Sequence, residues 1–142
     1  MDYHFSREPE ASAEDQEYVI DRLRAYNDSQ VNRHWERRMV RVFVRDETGE
    51  ILAGVFGMVS MHALVIDTMW VDPRCRGKGI GGELLARAEA EAREAGAIWS
   101  LVDTTSFQAR PFYEQHGYQV FGQVADLPIG HTSFFMRKRL NR

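Results

Sequence analysis

The sequence predicts one α/β or α+β domain, in which helices flank a mixed and mostly antiparallel central sheet. Three observations lead to this fold class. Hydrophobic patterns typical of strands alternate along the chain with patterns typical of helices. Turn signals rich in glycine, proline and aspartate separate these patterns. The 142 residues are 44% hydrophobic and 27% charged, which suffices to bury the core of a single domain over residues 1–142.

The first half of the chain predicts one helix and three strands. Apolar residues at helical spacing indicate a helix from 13 to about 27, with Ser12 as its N-cap. Residues 39–44 alternate as a strand, and residues 51–59 return as its hairpin partner. Residues 62–71 are nearly all apolar, so we expect this third strand to lie centrally in the sheet.

The second half repeats the alternation with two helices and three strands. We predict helices over 81–95 and 107–116, and strands over 98–102, 118–124 and 132–137. Gly96 and Gly117 follow the two helical patterns directly and predict where these helices end. This order of elements predicts a sheet with an antiparallel majority.

Composition and charge argue against several classes of protein. No stretch approaches 18 consecutive apolar residues and the N-terminus lacks a signal-peptide pattern, so we expect no membrane span and no secretion. The lone cysteine, Cys75, excludes an internal disulfide and a multi-cysteine zinc site, and it predicts an exposed loop thiol in a reducing cytoplasm. The histidines are not spaced as ligands, so no metal site is predicted. A net charge of −3 argues against nucleic acid as a partner.

The most informative stretch runs from Asp72 to Gly82, between the third predicted strand and the following helix. Four of its last six residues are glycines, which let the backbone approach a ligand closely. The helix N-terminus presents unpaired N–H groups that favour an anion, and Arg74, Arg76 and Lys78 add positive charge. This segment therefore predicts a pyrophosphate site.

The loop also satisfies Gly77-x-Gly79-x-x-Gly82, the fingerprint of dinucleotide-binding domains. In those domains the fingerprint follows the first strand, whereas here a helix and a hairpin precede it. A nicotinamide-dependent oxidoreductase is therefore kept as an alternative. A nucleoside-triphosphate P-loop is excluded, because Lys78 is followed by Gly79 instead of serine or threonine.

In another register the loop reads Arg76-Gly-Lys-Gly-Ile-Gly81, and a second motif, Ala109-x-x-Phe-Tyr-Glu-x-x-Gly-Tyr118, lies further along the chain. With these two motifs at this separation, the sequence resembles the GNAT family of N-acetyltransferases over most of its length. The resemblance implies a mixed sheet splayed at its centre, with acetyl-CoA as co-substrate between the parted strands. It also implies a homodimer, which is usual in that family.

The resemblance further implies the contacts to the co-substrate. Main-chain N–H groups of the loop bind the pyrophosphate, and main-chain groups at the end of the preceding strand pair with the pantetheine arm and the acetyl carbonyl. Where many members carry an asparagine that contacts the pantetheine, this sequence has a serine. The candidate cofactor-binding residues are Met69, Val71, Arg76, Gly77, Lys78, Gly79, Gly81, Gly82 and Ser106.

Two residues are candidates for the chemistry. The resemblance implies that Tyr113 protonates the departing thiolate, and a positioned tyrosine is chemically suited to act as a general acid. Asp67 interrupts an apolar strand, where burial makes a carboxylate a stronger base. Strand alternation predicts Asp67 on the same face as Met69, next to the acetyl site. The alternative role for Asp67 is attraction of a cationic acceptor.

The sequence therefore predicts an acetyl-CoA-dependent N-acetyltransferase that moves an acetyl group to a primary amine by direct attack in a ternary complex. One compact domain without a peptide-binding insert favours a small molecule as the acceptor. Two alternatives stay open: a protein or peptide acceptor, through a lysine or an N-terminus, and a CoA-binding module without catalysis.

Overall fold

The computed structural model describes residues 1–141, which form two compact units, residues 1–35 and a larger unit that begins at Glu36. The helices and strands in chain order are α1 Ala13–Val31, β1 Arg38–Arg45, β2 Ile51–Ser60, β3 Ala63–Val71, α2 Ile80–Glu94, β4 Trp99–Thr105, α3 Arg110–Gln115, β5 Gln119–Ala125 and β6 Thr132–Arg139. Every helix and strand predicted above is present. Among the described residues, no helix has both the length and the hydropathy of a membrane span.

The first unit contains α1, which begins as predicted and ends later. The hydroxyl of Ser12 accepts a hydrogen bond from the Asp15 N–H at 3.0 Å, which confirms Ser12 as the N-cap. The helix runs four residues beyond the expected Asn27 because no helix-breaking residue follows it. It ends at Asn32, whose left-handed backbone (φ 49°) turns the chain so that the Arg33 N–H also donates to the Asp28 carbonyl, at 3.0 Å.

The larger unit is built on one six-stranded sheet in the order β1-β2-β3-β4-β6-β5. The contact between β3 and β4 is parallel, and the other four contacts are antiparallel. This topology confirms three predictions: the β1–β2 hairpin, the central place of β3 and the closing β5–β6 hairpin. The parallel contact needs a crossover, and α2 supplies it.

The core lies between this sheet and α2, which packs against β1, β2 and β3. Every second residue of β2 is buried, in keeping with a strand that turns one face to a helix. On α2, leucines and alanines three or four residues apart form the face that packs against the sheet. The fully buried side chains at this interface include Val40, Ala53, Val55, Leu64, Leu84, Leu85, Ala88 and Ala92.

The last helix, α3, is shorter than the sequence suggests. Residues 105–108 form a turn closed by a hydrogen bond from the Gln108 N–H to the Thr105 carbonyl, so the helix begins only at Arg110. Pro111 lies in its first turn, where a missing N–H is tolerated. Gly117 ends it with a positive φ of 91°, and this turn carries the chain directly into β5.

Candidate active site

The two central strands pair only at one end. Among the described residues, the parallel ladder between β3 and β4 consists of three pairs, which end at Val65 and Leu101. Beyond these residues the two strands separate, and the main-chain groups on their facing edges no longer pair with each other. This opening is the splay expected at the centre of the sheet.

A β-bulge in β3 lies at the point where the strands part. Phe56 of β2 pairs with Thr68 and Gly57 pairs with Ile66, so that Asp67 is the extra residue between them. A bulge bends its strand and increases the local twist, which fits the departure of β3 from β4. Gly57 permits the bulge, because a Cβ on it would lie 2.2 Å from the Val65 carbonyl oxygen.

The structure corrects the expected burial of Asp67, which lies in the bulge. Val55 pairs with Met69 while Gly57 pairs with Ile66, and residues that face each other across a ladder share a face. Met69 therefore shares its face with Ile66, while Asp67 lies between them as the unpaired residue of the bulge, and both Asp67 and Met69 line the cavity. Asp67 is exposed, so the premise that this carboxylate is buried is wrong.

The parted strands open into a cavity of about 1030 Å³. Its walls come from the second half of β3, the middle of β4, the glycine loop with the start of α2, and α3. These segments are far apart in sequence and meet here because the crossover through α2 returns the chain to the parted edge. The predicted site residues among its lining are Asp67, Met69, Val71, Arg76, Gly77, Gly79, Gly81, Gly82 and Tyr113.

The glycine loop forms the positively charged end of the cavity. Gly77 and Gly79 have φ angles of 76° and 79°, a conformation that side chains rarely adopt. Gly79 is also the N-cap of α2, so the unpaired N–H groups of a 15-residue helix begin at this loop. The loop is therefore built as an anion site.

Gly81 and Gly82 serve a different purpose, because they lie in the first turn of α2 against α3. A Cβ on Gly82 would lie 2.7 Å from Nε2 of His116, and a Cβ on Gly81 would lie 3.1 Å from the Phe112 ring. His116 is held in place by a hydrogen bond from Nδ1 to the Phe112 carbonyl at 2.8 Å. These two glycines therefore allow α3, which carries Tyr113, to approach the loop closely.

The three basic side chains of the loop differ in their roles. Arg74 is bound to Asp72 and to Glu50, at 2.8 Å in each case, and it holds the pKa of Asp72 down to about 2. Arg76 lines the cavity, and its Nε donates to the Val71 carbonyl at 3.1 Å. Lys78 is exposed and lies outside the cavity lining. Of the three, Arg76 is thus the cation that faces the site.

Tyr113 reaches the cavity from α3. Its side chain is buried, with 5% of the residue exposed, and its hydroxyl donates to the sulfur of Met69 at 3.8 Å. Burial raises the pKa of Tyr113 to about 12, with a further contribution from the negative charge of Asp103. The hydroxyl therefore keeps its proton at neutral pH and lies beside the strand segment that the resemblance assigns to the acetyl group.

Asp103 is a site residue that the sequence analysis missed as part of this cavity. The β3–β4 ladder ends at the pair Val65 and Leu101. Asp103 lies two residues after Leu101 on β4, just as Asp67 lies two residues after Val65 on β3, and both aspartates line the cavity. No local motif marks Asp103, because its position relative to Asp67 depends on the register between the two strands. The strand end of the cavity consequently carries two exposed carboxylates.

The turns around the cavity place two further residues, Ser106 and Cys75. The hydroxyl of Ser106 lies 3.2 Å from Nδ1 of His131 and accepts from the Thr132 N–H at 3.3 Å, and Ser106 lies outside the cavity lining. The turn before α3 thus directs this serine toward the β5–β6 hairpin. Cys75 is buried instead of exposed, because one turn of 3-10 helix at Pro73–Cys75 folds it into the cavity wall. Over residues 1–141, no group of three or more candidate metal ligands occurs.

Comparison with known proteins agrees with this geometry. A model of the acetyltransferase (GNAT) family matches residues 4–118. A blasticidin-S acetyltransferase of Streptomyces morookaense is 45% identical over 95 residues, which are 66% of this chain and 70% of that protein. A crystal structure of an acetyltransferase from Bacillus cereus ATCC 14579 is 36% identical, with a TM-score of 0.86 over 97% of this chain and 98% of its own.

The fold also extends to more distant enzymes. An aminoglycoside 6'-N-acetyltransferase, solved as a complex with coenzyme A, shares it at a TM-score of 0.65 and 16% identity over 73% of this chain and 74% of its own. The family match covers most of the chain, including the parted strands and the glycine loop. This chain belongs to the GNAT family of acetyltransferases.

Proposed function

We propose that this acetyltransferase uses acetyl-CoA to acetylate a primary amine on a small cationic molecule, by direct attack within a ternary complex. The observation that carries this proposal is that the glycine loop, the parted strands and Tyr113 line the same cavity. The loop end suits the pyrophosphate of coenzyme A through N–H groups and Arg76. The strand end offers main-chain groups for the acetyl arm.

The charge distribution in the cavity supports a cationic acceptor. Arg76 lies at the loop end, whereas Asp67 and Asp103 lie at the strand end, where the amine must enter. A cleft with carboxylates at its reactive end attracts cations and raises their local concentration. The similarity to a blasticidin-S acetyltransferase supports a small molecule over a peptide.

The transfer step follows from these positions. The amine nitrogen attacks the thioester carbonyl carbon, and main-chain N–H groups of β3 stabilise the oxygen that gains negative charge. The carbon–sulfur bond then breaks, and the sulfur takes the proton of the Tyr113 hydroxyl. Asp67 accepts the proton that the amine nitrogen loses, directly or through water. Solvent returns the proton to Tyr113 and takes the proton from Asp67.

The first test is a thiol-release assay with acetyl-CoA and a panel of amines. The panel contains polyamines, amino sugars, amino acid derivatives, blasticidin S, and peptides with a free lysine or N-terminus. We expect turnover with a cationic small molecule and no acetyl-enzyme when the amine is omitted. Turnover with peptides alone would overturn the substrate class. Binding of CoA without any turnover would indicate a CoA-binding module without catalysis. Thermal stabilisation of the protein by NAD(H) but not by CoA would indicate an oxidoreductase.

Substitution of the two candidate catalytic residues tests the mechanism. Tyr113→Phe is expected to lower kcat by about 10²-fold, since it removes the general acid, while the KM for acetyl-CoA stays unchanged. For Asp67→Asn, loss of the acidic limb of the kcat/KM profile would identify a general base. A raised acceptor KM with an unchanged profile would identify charge recognition instead. The cytoplasmic location and the homodimer remain part of this proposal.

A further inference from the structure

A buried polar cluster lies next to the cavity without lining it. It consists of Glu89 on α2, Ser100 on β4, Tyr118 after α3 and Lys138 on β6, and we refer to it as the Glu89 cluster. The Tyr118 hydroxyl donates to Oε2 of Glu89 at 2.9 Å and lies 2.7 Å from the Ser100 hydroxyl. The Lys138 ammonium donates to Oε1 of Glu89 at 2.8 Å.

Three members of this cluster are buried far more deeply than polar residues usually are. Glu89 is 4% exposed, Tyr118 is 2% exposed and Ser100 is fully buried. A buried ion pair contributes little net stability, because desolvation of the charges offsets their attraction. What the cluster does supply is geometry, since its hydrogen bonds fix the Tyr118 ring between α2 and β4.

Tyr118 connects the cluster to Tyr113. The Tyr118 N–H donates to the Tyr113 carbonyl at 3.0 Å, across the turn that ends α3. The two rings also pack edge to face, with their centroids 5.5 Å apart and an angle of 68° between their planes. Tyr113 is thus held by Tyr118 through both the main chain and the ring.

The hydroxyl of Tyr113 has no comparable polar anchor. Its hydrogen bond among the described residues is the one to the Met69 sulfur, a weak acceptor at a distance of 3.8 Å. The direction of the hydroxyl is therefore set by the packing of the ring. Among the described residues, its contacts with other aromatic rings are those with Phe112, which neighbours it on α3, and with Tyr118.

We propose that Tyr118 is a positioning residue for acetyl transfer, anchored by Glu89, Ser100 and Lys138 so that its ring fixes Tyr113 with the hydroxyl in the cavity. This inference rests on the proposed role of Tyr113 as the acid that protonates the leaving sulfur. Tyr118 lies outside the cavity lining, so it acts through Tyr113 and not on the substrates.

Tyr118→Phe keeps the ring and removes the anchor. We expect kcat, measured by thiol release with acetyl-CoA and the panel amine of highest turnover, to fall about tenfold, because small displacements of a catalytic group are costly. The KM for acetyl-CoA should change less than about twofold, since no cofactor contact is altered. The matched control is Ser133→Ala, which removes another buried hydroxyl. This hydroxyl donates to the Leu127 carbonyl at 2.7 Å and takes no part in the Glu89 cluster.

A double-mutant cycle then separates positioning from a general loss of structure. In the Tyr113→Phe background, Tyr118→Phe should lower kcat by less than about twofold, because no acid remains to be positioned. A further tenfold loss in that background would overturn the inference, and so would an unchanged kcat for Tyr118→Phe alone. If Tyr113→Phe itself leaves kcat unchanged, the acid role fails first and this inference fails with it.

Lys138→Met provides a second variant in case Tyr118→Phe folds poorly. Lys138 is half-buried at the edge of the cluster, and its loss leaves Glu89 only the more distant cation of Arg93, at 4.0 Å, while the Tyr118 side chain is unchanged. We expect the same pattern, with a lower kcat in the wild-type background only. A fall in Tm of about 5 °C without that pattern would assign the cluster to stability alone and overturn the inference.

Discussion

The two ends of the cavity are built by different means. At the loop end, a continuous segment from Arg76 to Gly82 supplies the positive φ angles, the helix N-terminus and the cation. At the strand end, the site consists of residues from β3, β4 and α3 that only the register and the crossover bring together. The difference teaches that local sequence encodes the anion site, whereas the place of reaction depends on strand pairing over long distances.

We expect the largest effect from a substitution at the strand end that is incompatible with the β3 bulge. In Gly57→Ala the new Cβ meets the main-chain oxygen of Val65 at 2.2 Å, and a backbone atom cannot move aside cheaply. We expect a loss of about 3 kcal/mol in the free energy of unfolding, measured by chemical denaturation. Gly54→Ala in the same strand is the control, since its Cβ would lie 3.1 Å from the Phe43 ring and at an ordinary contact distance of 3.5 Å from the Val42 carbonyl oxygen. Equal stability of the two variants would contradict the importance of the bulge.

The buried acid at the strand end predicts a specific pH dependence of stability. The pKa of Tyr113 is raised from its ordinary 10 to about 12, so the folded chain retains this proton at a pH where the unfolded chain loses it. The stabilisation is therefore complete below pH 10 and is lost as the pH rises to about 12. It amounts to on the order of 2 kcal/mol.

This loss of stability is measured by comparing the pH dependence of unfolding of the wild type with that of Tyr113→Phe. The free energy of unfolding of the wild type should fall more steeply from pH 10 to 12 than that of Tyr113→Phe. Tyr26→Phe removes an exposed tyrosine and should leave the wild-type slope unchanged. Parallel curves for wild type and Tyr113→Phe would show that Tyr113 is not buried as described.

The loop end can be tested with a matched pair of glycines. Gly79 and Gly49 both have a positive φ, 79° and 91°, with no atom within 4 Å of an added Cβ. The two alanine variants therefore carry a similar backbone strain. We expect Gly79→Ala to raise the KM for acetyl-CoA about tenfold, because the N–H groups of the loop are displaced, and Gly49→Ala to leave it unchanged. A similar KM in both variants would argue against the loop as the pyrophosphate site.

The smallest expected effect is a change in the KM for acetyl-CoA that distinguishes Arg76 from Arg74. Arg76→Gln should raise the KM for acetyl-CoA about threefold, as expected for one partly solvated charge. Arg74→Gln should leave this KM unchanged, because Arg74 is already bound to Asp72 and Glu50. Steady-state kinetics at low ionic strength measures both. An equal rise in the two variants would mean that the loop acts only through its overall charge.

The sequence by itself determined the order of the elements, the glycine loop and the motif that carries Tyr113. Each of these depends on residues that are close together in the chain, through hydrophobic periodicity, helix capping or backbone freedom at glycine. For the same reason Arg76, Gly77 and Gly79 could be placed at the site from local pattern alone. The end of α1 and the start of α3 differ from the predicted positions, because fraying and turn formation depend on contacts that periodicity does not report.

Only the tertiary structure decided the rest of the site. The bulge in β3 made Asp67 the unpaired residue where the strands part, and the register of β3 and β4 placed Asp103 at the corresponding position of the neighbouring strand. The turns around the cavity buried Cys75 and turned Ser106 toward the β5–β6 hairpin. A one-residue shift in pairing reverses which side chains face the core. That shift is set by partners in other strands, and so the chemistry at the strand end follows from pairing and not from local sequence.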